Sequence, residues 1–72
     1  MYYYQRLRDL REDRDLKQSD ISEFLGMKQP QYNRYETGTR ELPLHHLIAL
    51  CRFYNVSADY LLGLTDEFKA LK

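Results

Sequence analysis

Residues 16–40 read LKQSDISEFLGMKQPQYNRYETGTR, and this stretch decides the fold. Leu16 and Ile21 stand where a hydrophobic staple brackets a helix that starts near Gln18, with Asp20 placed to satisfy free amides in its first turn. Ile21, Phe24 and Leu25 form the inward stripe. Gly26 then ends the helix, because glycine adopts the left-handed conformation of a helix C-terminus without a Cβ clash. After Met27 and Lys28 a further helix runs from about Gln29 to Thr37, with Pro30 in its first turn, where a missing amide hydrogen costs nothing, and stops at Gly38. Two short helices joined by a glycine-containing turn make a helix-turn-helix corner, whose second helix can enter a DNA major groove. The same corner also occurs in helical domains that use it only for packing.

Working outward, Tyr3, Leu7 and Leu10 recur at helical spacing in a first helix of roughly residues 2–14, and Arg11 falls on that same apolar face. Beyond Gly38, an extended segment from Thr39 to Pro43 leads into a fourth helix, about Leu44 to Tyr54, whose stripe is Leu47, Leu50, Cys51 and Tyr54. Asn55 is placed to terminate it in the left-handed region. Val56 and Leu61 repeat the staple spacing around Ser57, a good N-cap, so a short fifth helix covers residues 58–62 until Gly63. The reading is all-α, with a domain over residues 1–63 and a tail over residues 64–72. No strand-like alternation, internal repeat or low-complexity tract interrupts it.

Composition narrows the function. A chain of 72 residues encloses one hydrophobic core, and one cysteine with two histidines supplies neither an internal disulfide nor a structural metal site. Helix packing therefore holds the fold, and a reducing compartment, the cytoplasm, is the default. The three N-terminal tyrosines are not followed by the basic and apolar regions of a secretory signal, and no apolar run is long enough to span a bilayer. Eleven basic and eleven acidic residues cancel, so no global field draws the chain to a polyanion. In residues 1–15 Arg6, Arg8, Arg11 and Arg14 face Asp9, Glu12, Asp13 and Asp15, which reads as a solvated helix face. In residues 16–40 Lys17, Lys28, Arg34 and Arg40 stand against Asp20, Glu23 and Glu36, and the balance turns further positive if Glu36 is used internally.

On the third helix Tyr32, Tyr35 and Glu36 share one side. Pro30, Asn33, Arg34 and Thr37 point the other way, and Gln29 projects from the N-terminal end. Glutamine and asparagine can form paired hydrogen bonds with adenine and arginine with guanine, so this face suits base reading. Arg11 and Glu36 each lie on the apolar side of a helix, are costly to bury alone, and would pin the first helix to the third if they paired. His45, His46 and Cys51 lack the three- or four-residue offsets that align metal ligands on a helix, and Cys51 reads as a core residue. No glycine-framed serine, phosphate-cradling loop or acid–base pair suggests an enzyme. Tyr2 and Tyr4 invite comparison with a single-strand stacking platform, yet Tyr3 belongs to the core stripe and its neighbours pack beside it.

RLRDLRED, LKQSDISEFLGM, NRYETGTRELP and LCRFYNVSADYLLG, from residue 6 to 63, resemble the successive blocks of the phage repressor and Cro family, also called the xenobiotic-response-element family. The resemblance implies a five-helix, lambda-repressor-like DNA-binding domain and a transcriptional regulator of repressor type, with double-stranded operator DNA as partner and no cofactor or small-molecule ligand. It implies that Gln18 grips a DNA phosphate, that Gln29, Pro30, Asn33 and Arg34 face bases, and that Lys28, Thr37 and Arg40 lie near the backbone. Arg11 and Glu36 match the family's buried ion pair. Departures are Lys17 in place of a hydroxyl cap, adding a cation near phosphate, and Pro30, which cannot donate to a base. Tyr32 stands where a smaller aliphatic residue is common, with a hydroxyl expected to reach the DNA edge, and Ser22 replaces the usual alanine. Leu64, Phe68 and Leu71 recur at helical spacing in the tail and are the expected contacts of a homodimer. The competing reading is an antitoxin-like or bridging protein-interaction module on the same fold.

Overall fold

Leu7, Leu10, Ile21, Tyr32, Leu50, Val56 and Leu61 meet in one core and are all but removed from solvent. The helices that carry them are α1 (Tyr3–Asp13), α2 (Gln18–Leu25), α3 (Gln29–Glu36), α4 (Leu44–Tyr54) and α5 (Ala58–Leu61). The computed structural model describes residues 2–71, and among them there is no strand. Met1 and Lys72, the outer ends of the two expected segments, lie outside the described residues. Among the described residues no helix is long and apolar enough to cross a membrane.

The boundaries follow from local chemistry. Gly26 ends α2 at φ 73°, and Asn55 ends α4 in the same left-handed region at φ 54°. The Ser57 hydroxyl accepts the Tyr60 amide at 3.3 Å and starts α5. Thr37 and Leu62, expected inside α3 and α5, are their C-terminal caps. Gly38 is required on two counts: its φ is 80°, and a Cβ there would lie 2.8 Å from the Tyr4 ring. Tyr3 fixes the extended segment that follows, since its hydroxyl accepts the Leu42 amide at 3.0 Å.

Phe24 departs from the expected inward stripe. It is exposed and packs its ring on Phe53, at 4.5 Å between centroids, while Ser22 is buried and bonds the Ser19 carbonyl at 3.1 Å. The reason is rotation: at about 100° per residue the inward arc centres on Gln18 and Leu25, with Ile21 and Ser22 on either side, and Phe24 falls on the flank.

Arg6 departs from expectation as well. Counted as part of a solvated face, it is 4% exposed, because it lies in the row of Tyr3, Leu7 and Leu10. Its guanidinium stacks 4.0 Å from the centre of the Tyr60 ring and donates to Asp66 Oδ1 at 3.0 Å. That bond anchors the tail, which after Gly63 is irregular rather than helical and runs back along the α4–α5 turn. The Ser57 amide donates to the Lys69 carbonyl at 2.8 Å, the Leu71 amide to the Asn55 carbonyl at 3.3 Å, and the Phe68 ring meets Tyr60 edge-on.

Because the Asp66 carboxylate is exposed, its bond to Arg6 contributes on the order of 0.5 kcal/mol to global stability. Asp66→Ala is expected to leave the melting temperature nearly unchanged while raising amide exchange at Ser57 and Leu71 several-fold, a local opening read by hydrogen-exchange NMR. Unchanged exchange at both amides would show that Asp66 does not hold the tail.

Candidate nucleic-acid interface

The α2–α3 corner is set by Gly26, whose amide donates to the Glu23 carbonyl at 3.1 Å, and by the Met27 amide, which donates to the Ser22 carbonyl at 2.9 Å. Lys28, extended at the N-cap, delivers the chain into α3 with Pro30 in the first turn. α3 turns Tyr32, Tyr35 and Glu36 inward and leaves Gln29, Pro30, Gln31, Arg34 and Thr37 exposed, with Asn33 half-buried.

The polar base of α3 is built around one carboxylate. Arg11 Nε donates to Glu36 Oε2 at 2.7 Å and Arg11 Nη2 to Glu36 Oε1 at 3.1 Å, a two-point fork, while Nη1 donates to the Leu16 carbonyl at 2.9 Å. Gln18 Nε2 donates to Glu36 Oε1 at 3.0 Å and to Asn33 Oδ1 at 2.9 Å, and its own Oε1 accepts from Gln29 Nε2. Burial alone would raise the Glu36 carboxyl above the ordinary carboxylate value, but donation from Arg11 and Gln18 outweighs it and holds the group below that value. The bond to Glu36 correspondingly raises Arg11.

Two implied roles change against this geometry. Both side-chain amide hydrogens of Gln18 serve internal acceptors, which leaves its main-chain N–H, at the start of α2, for an external one. Tyr32 cannot reach the DNA edge: it is fully buried beside Glu36, and burial, reinforced by that carboxylate, pushes its ionisation well up.

Lys17, Lys28, Arg34 and Arg40 are all exposed, and none forms an ion pair among the described residues. Lys17 makes no side-chain cap to α2; Asp20 Oδ2 accepts the Lys17 amide at 2.8 Å instead. At the other end of α3 the Arg34 carbonyl accepts the Arg40 amide at 3.1 Å and the Thr37 hydroxyl at 3.3 Å. Those bonds fold the segment after Gly38 against α3 and bring Lys28, Arg34 and Arg40 around one cleft. Gln31, absent from the expected site, lines the same cleft; its exposed position one residue past Pro30 was the available signal.

The other candidate groups lie elsewhere. The His45 and His46 rings sit 4.0 Å apart on the first turn of α4, and Cys51 is buried in the core, where desolvation raises its thiol. Leu64, Phe68 and Leu71 are exposed, and Leu71 lines an apolar groove with Leu44 and Ile48.

The profile of the Helix-turn-helix family matches residues 7–61. The chain is 43% identical over 65 residues to an uncharacterised HTH-type transcriptional regulator, YobD, of Bacillus subtilis, covering 90% of this chain and 58% of that protein. It is 37% identical over 51 residues to the cryptic phage CTXphi transcriptional repressor RstR of Vibrio cholerae, covering 71% and 46% respectively. The crystal structure of a transcriptional regulator from Listeria innocua superposes with a TM-score of 0.82 at 26% identity, covering 90% of this chain and 61% of that one. The chain thus spans about half the length of the curated relatives it matches.

Removing either partner of the Arg11–Glu36 pair alone, as Arg11→Met or Glu36→Gln, is expected to cost about 3–5 kcal/mol, and a double-mutant cycle is expected to give strongly non-additive losses. Additive losses would show independent side chains. Since the folded carboxyl titrates below its ordinary value of 4.5, its contribution is fully present above that pH and lost as pH falls through the lower folded value. The wild type should therefore lose stability below about pH 4.5 more steeply than Glu36→Gln, as measured by urea unfolding across pH.

Proposed function

The chain belongs to the helix-turn-helix family, and from that premise we propose that it is a sequence-specific double-stranded DNA-binding transcriptional regulator that acts as a repressor. The observation that carries this reading is the outer face of α3: Arg34 exposed beside Lys28 and Arg40, with no acidic partner, on a helix whose inner end is bonded to α1 and α2. α3 enters the major groove with its exposed face, Pro30 and Arg34 at the centre, toward the bases, while Gln29 and Asn33, both bonded to Gln18, border that face. Lys17, Lys28, Thr37 and Arg40 lie against the phosphates, as does the main chain at Gln18. Repression is the mode named for the similar RstR. The protein acts in the cytoplasm.

One α3 spans only a few base pairs, and a chain with no net charge gains little from general attraction to DNA. Two copies related by a two-fold axis, with their α3 helices about 34 Å apart, supply the missing discrimination. The exposed Leu64, Phe68 and Leu71, with the groove that Leu71 shares with Leu44 and Ile48, support a dimer contact through the tail.

Gel shifts on DNA upstream of the protein's own gene, over a range of salt, test the reading. Arg34→Ala is expected to lose roughly 1–3 kcal/mol on the operator and little on random DNA. Lys28→Ala should weaken both alike and reduce the salt slope by about 1. Equal losses on both DNAs for both variants would refute this division of roles. For the dimer, Leu64→Ser combined with Leu71→Ser is expected to sediment as a monomer at concentrations where the wild type is dimeric and to bind full and half operators alike; an unchanged dimer would exclude the tail.

A further inference from the structure

Asn33 and Gln31 flank the outward face of α3 on opposite sides, and the structure commits only one of them internally. At about 100° per residue, Pro30 and Arg34 stand in the middle of the exposed arc, with Gln29 and Asn33 to one side and Gln31 to the other. On the first side Asn33 is half-buried and its Oδ1 receives Gln18 Nε2 at 2.9 Å, while Gln29 donates to the same Gln18. That flank belongs to the frame that joins α2 to α3. On the other side Gln31 is exposed, and its amide group makes no hydrogen bond among the described residues. It lines the cleft that holds Lys28, Arg34 and Arg40, and no acidic residue lines that cleft.

We propose that Gln31 is a specificity-determining residue that reads base edges together with Arg34, while Asn33 positions the helix. The proposal rests on the DNA-binding reading above. A primary amide carries a donor and an acceptor side by side, which matches N7 and N6 of adenine in the major groove; a guanidinium matches N7 and O6 of guanine. Gln31 and Arg34 are three residues apart, about 4.5 Å along the helix axis at 1.5 Å per residue, close to one base-pair step of roughly 3.4 Å. The operator half-site then contains an A·T pair next to a G·C pair. Lys28 and Arg40, at the rim of the cleft, hold the phosphates that flank these two pairs. The amide of Gln31 also supplies, one residue later, the donor that Pro30 lacks.

The test is selection from a pool of randomised duplexes by the purified full chain, run in parallel with wild type, Gln31→Ala and Asn33→Ala and followed by titration on the selected sites. Wild type is expected to enrich a motif with adjacent G·C and A·T pairs. Gln31→Ala should keep the G·C preference, lose the A·T preference and bind the wild-type site roughly 5- to 100-fold more weakly, with unchanged affinity for random DNA and an unchanged melting temperature. Asn33→Ala should keep the full motif. If Gln31→Ala selects the wild-type motif, or if Asn33→Ala is the variant that loses a base position, the proposal is overturned and DNA reading by α3 stands. If wild type enriches no motif, the DNA-binding reading fails and the proposal with it.

Discussion

The structure depends on the need to satisfy the buried carboxylate of Glu36. Its side chain is 2% exposed, and an ionised carboxyl that far from water costs several kcal/mol unless charge and hydrogen bonds replace its hydration. Arg11 brings the charge from α1 and Gln18 brings an amide from α2, while the third branch of Arg11 holds the Leu16 carbonyl in the turn between those helices. All of these bonds form together in only one arrangement of the three helices. Apolar contacts within the core that Leu7 and Ile21 share stabilise the fold but are tolerant of small slides, because burial energy is not directional. The polar knot is directional, and it fixes the angle at which α3 leaves the domain.

The same pairing reconciles zero net charge with a cationic reading face. The arginines of α1 engage acidic groups: Arg6 with Asp66, Arg8 with Glu12 at 3.4 Å, and Arg11 with Glu36. Asp20 turns its carboxylate to the Lys17 amide. Lys28, Arg34 and Arg40 are left without such partners among the described residues, around one cleft. Charge is thus segregated rather than accumulated. A protein arranged this way gains little from long-range attraction to a polyanion, and discrimination has to come from short-range contacts.

Much of this was legible in the sequence because the deciding signals are local. The staples at Leu16/Ile21 and Val56/Leu61, the left-handed terminators Gly26 and Asn55, and the Ser57 cap all act within one helical turn, and they locate the helices to within a residue or two. Arg11 and Glu36 stood out because each charge sits in an apolar stripe. Arg6 sits in the same stripe, but its burial is hidden in the sequence because the first fifteen residues cancel as a charge count and its partner lies 60 residues away. The apolar residues of α2 suggest a stripe through Phe24, whereas the arc that faces inward is centred on the polar Gln18. The Tyr32 hydroxyl does not point outward because the ring lies beside Glu36 on the inner face. The tail carried helical spacing without helical backbone, since Gly63 breaks the chain and bonds to Asn55 and Ser57 decide its path.

The central claim is that α3, held by the Glu36 knot, is the surface that meets DNA. Amide and side-chain chemical shifts of the isotope-labelled chain, followed during titration with an operator duplex, test it residue by residue. The account predicts shifts concentrated at Lys17, Gln18, Lys28 through Arg34, Thr37 and Arg40, with the Arg11 Nε–H resonance retained as that of a bonded guanidinium. Shifts centred instead on the α4 face around Leu44 and Ile48, or saturation with no change along α3, would contradict it.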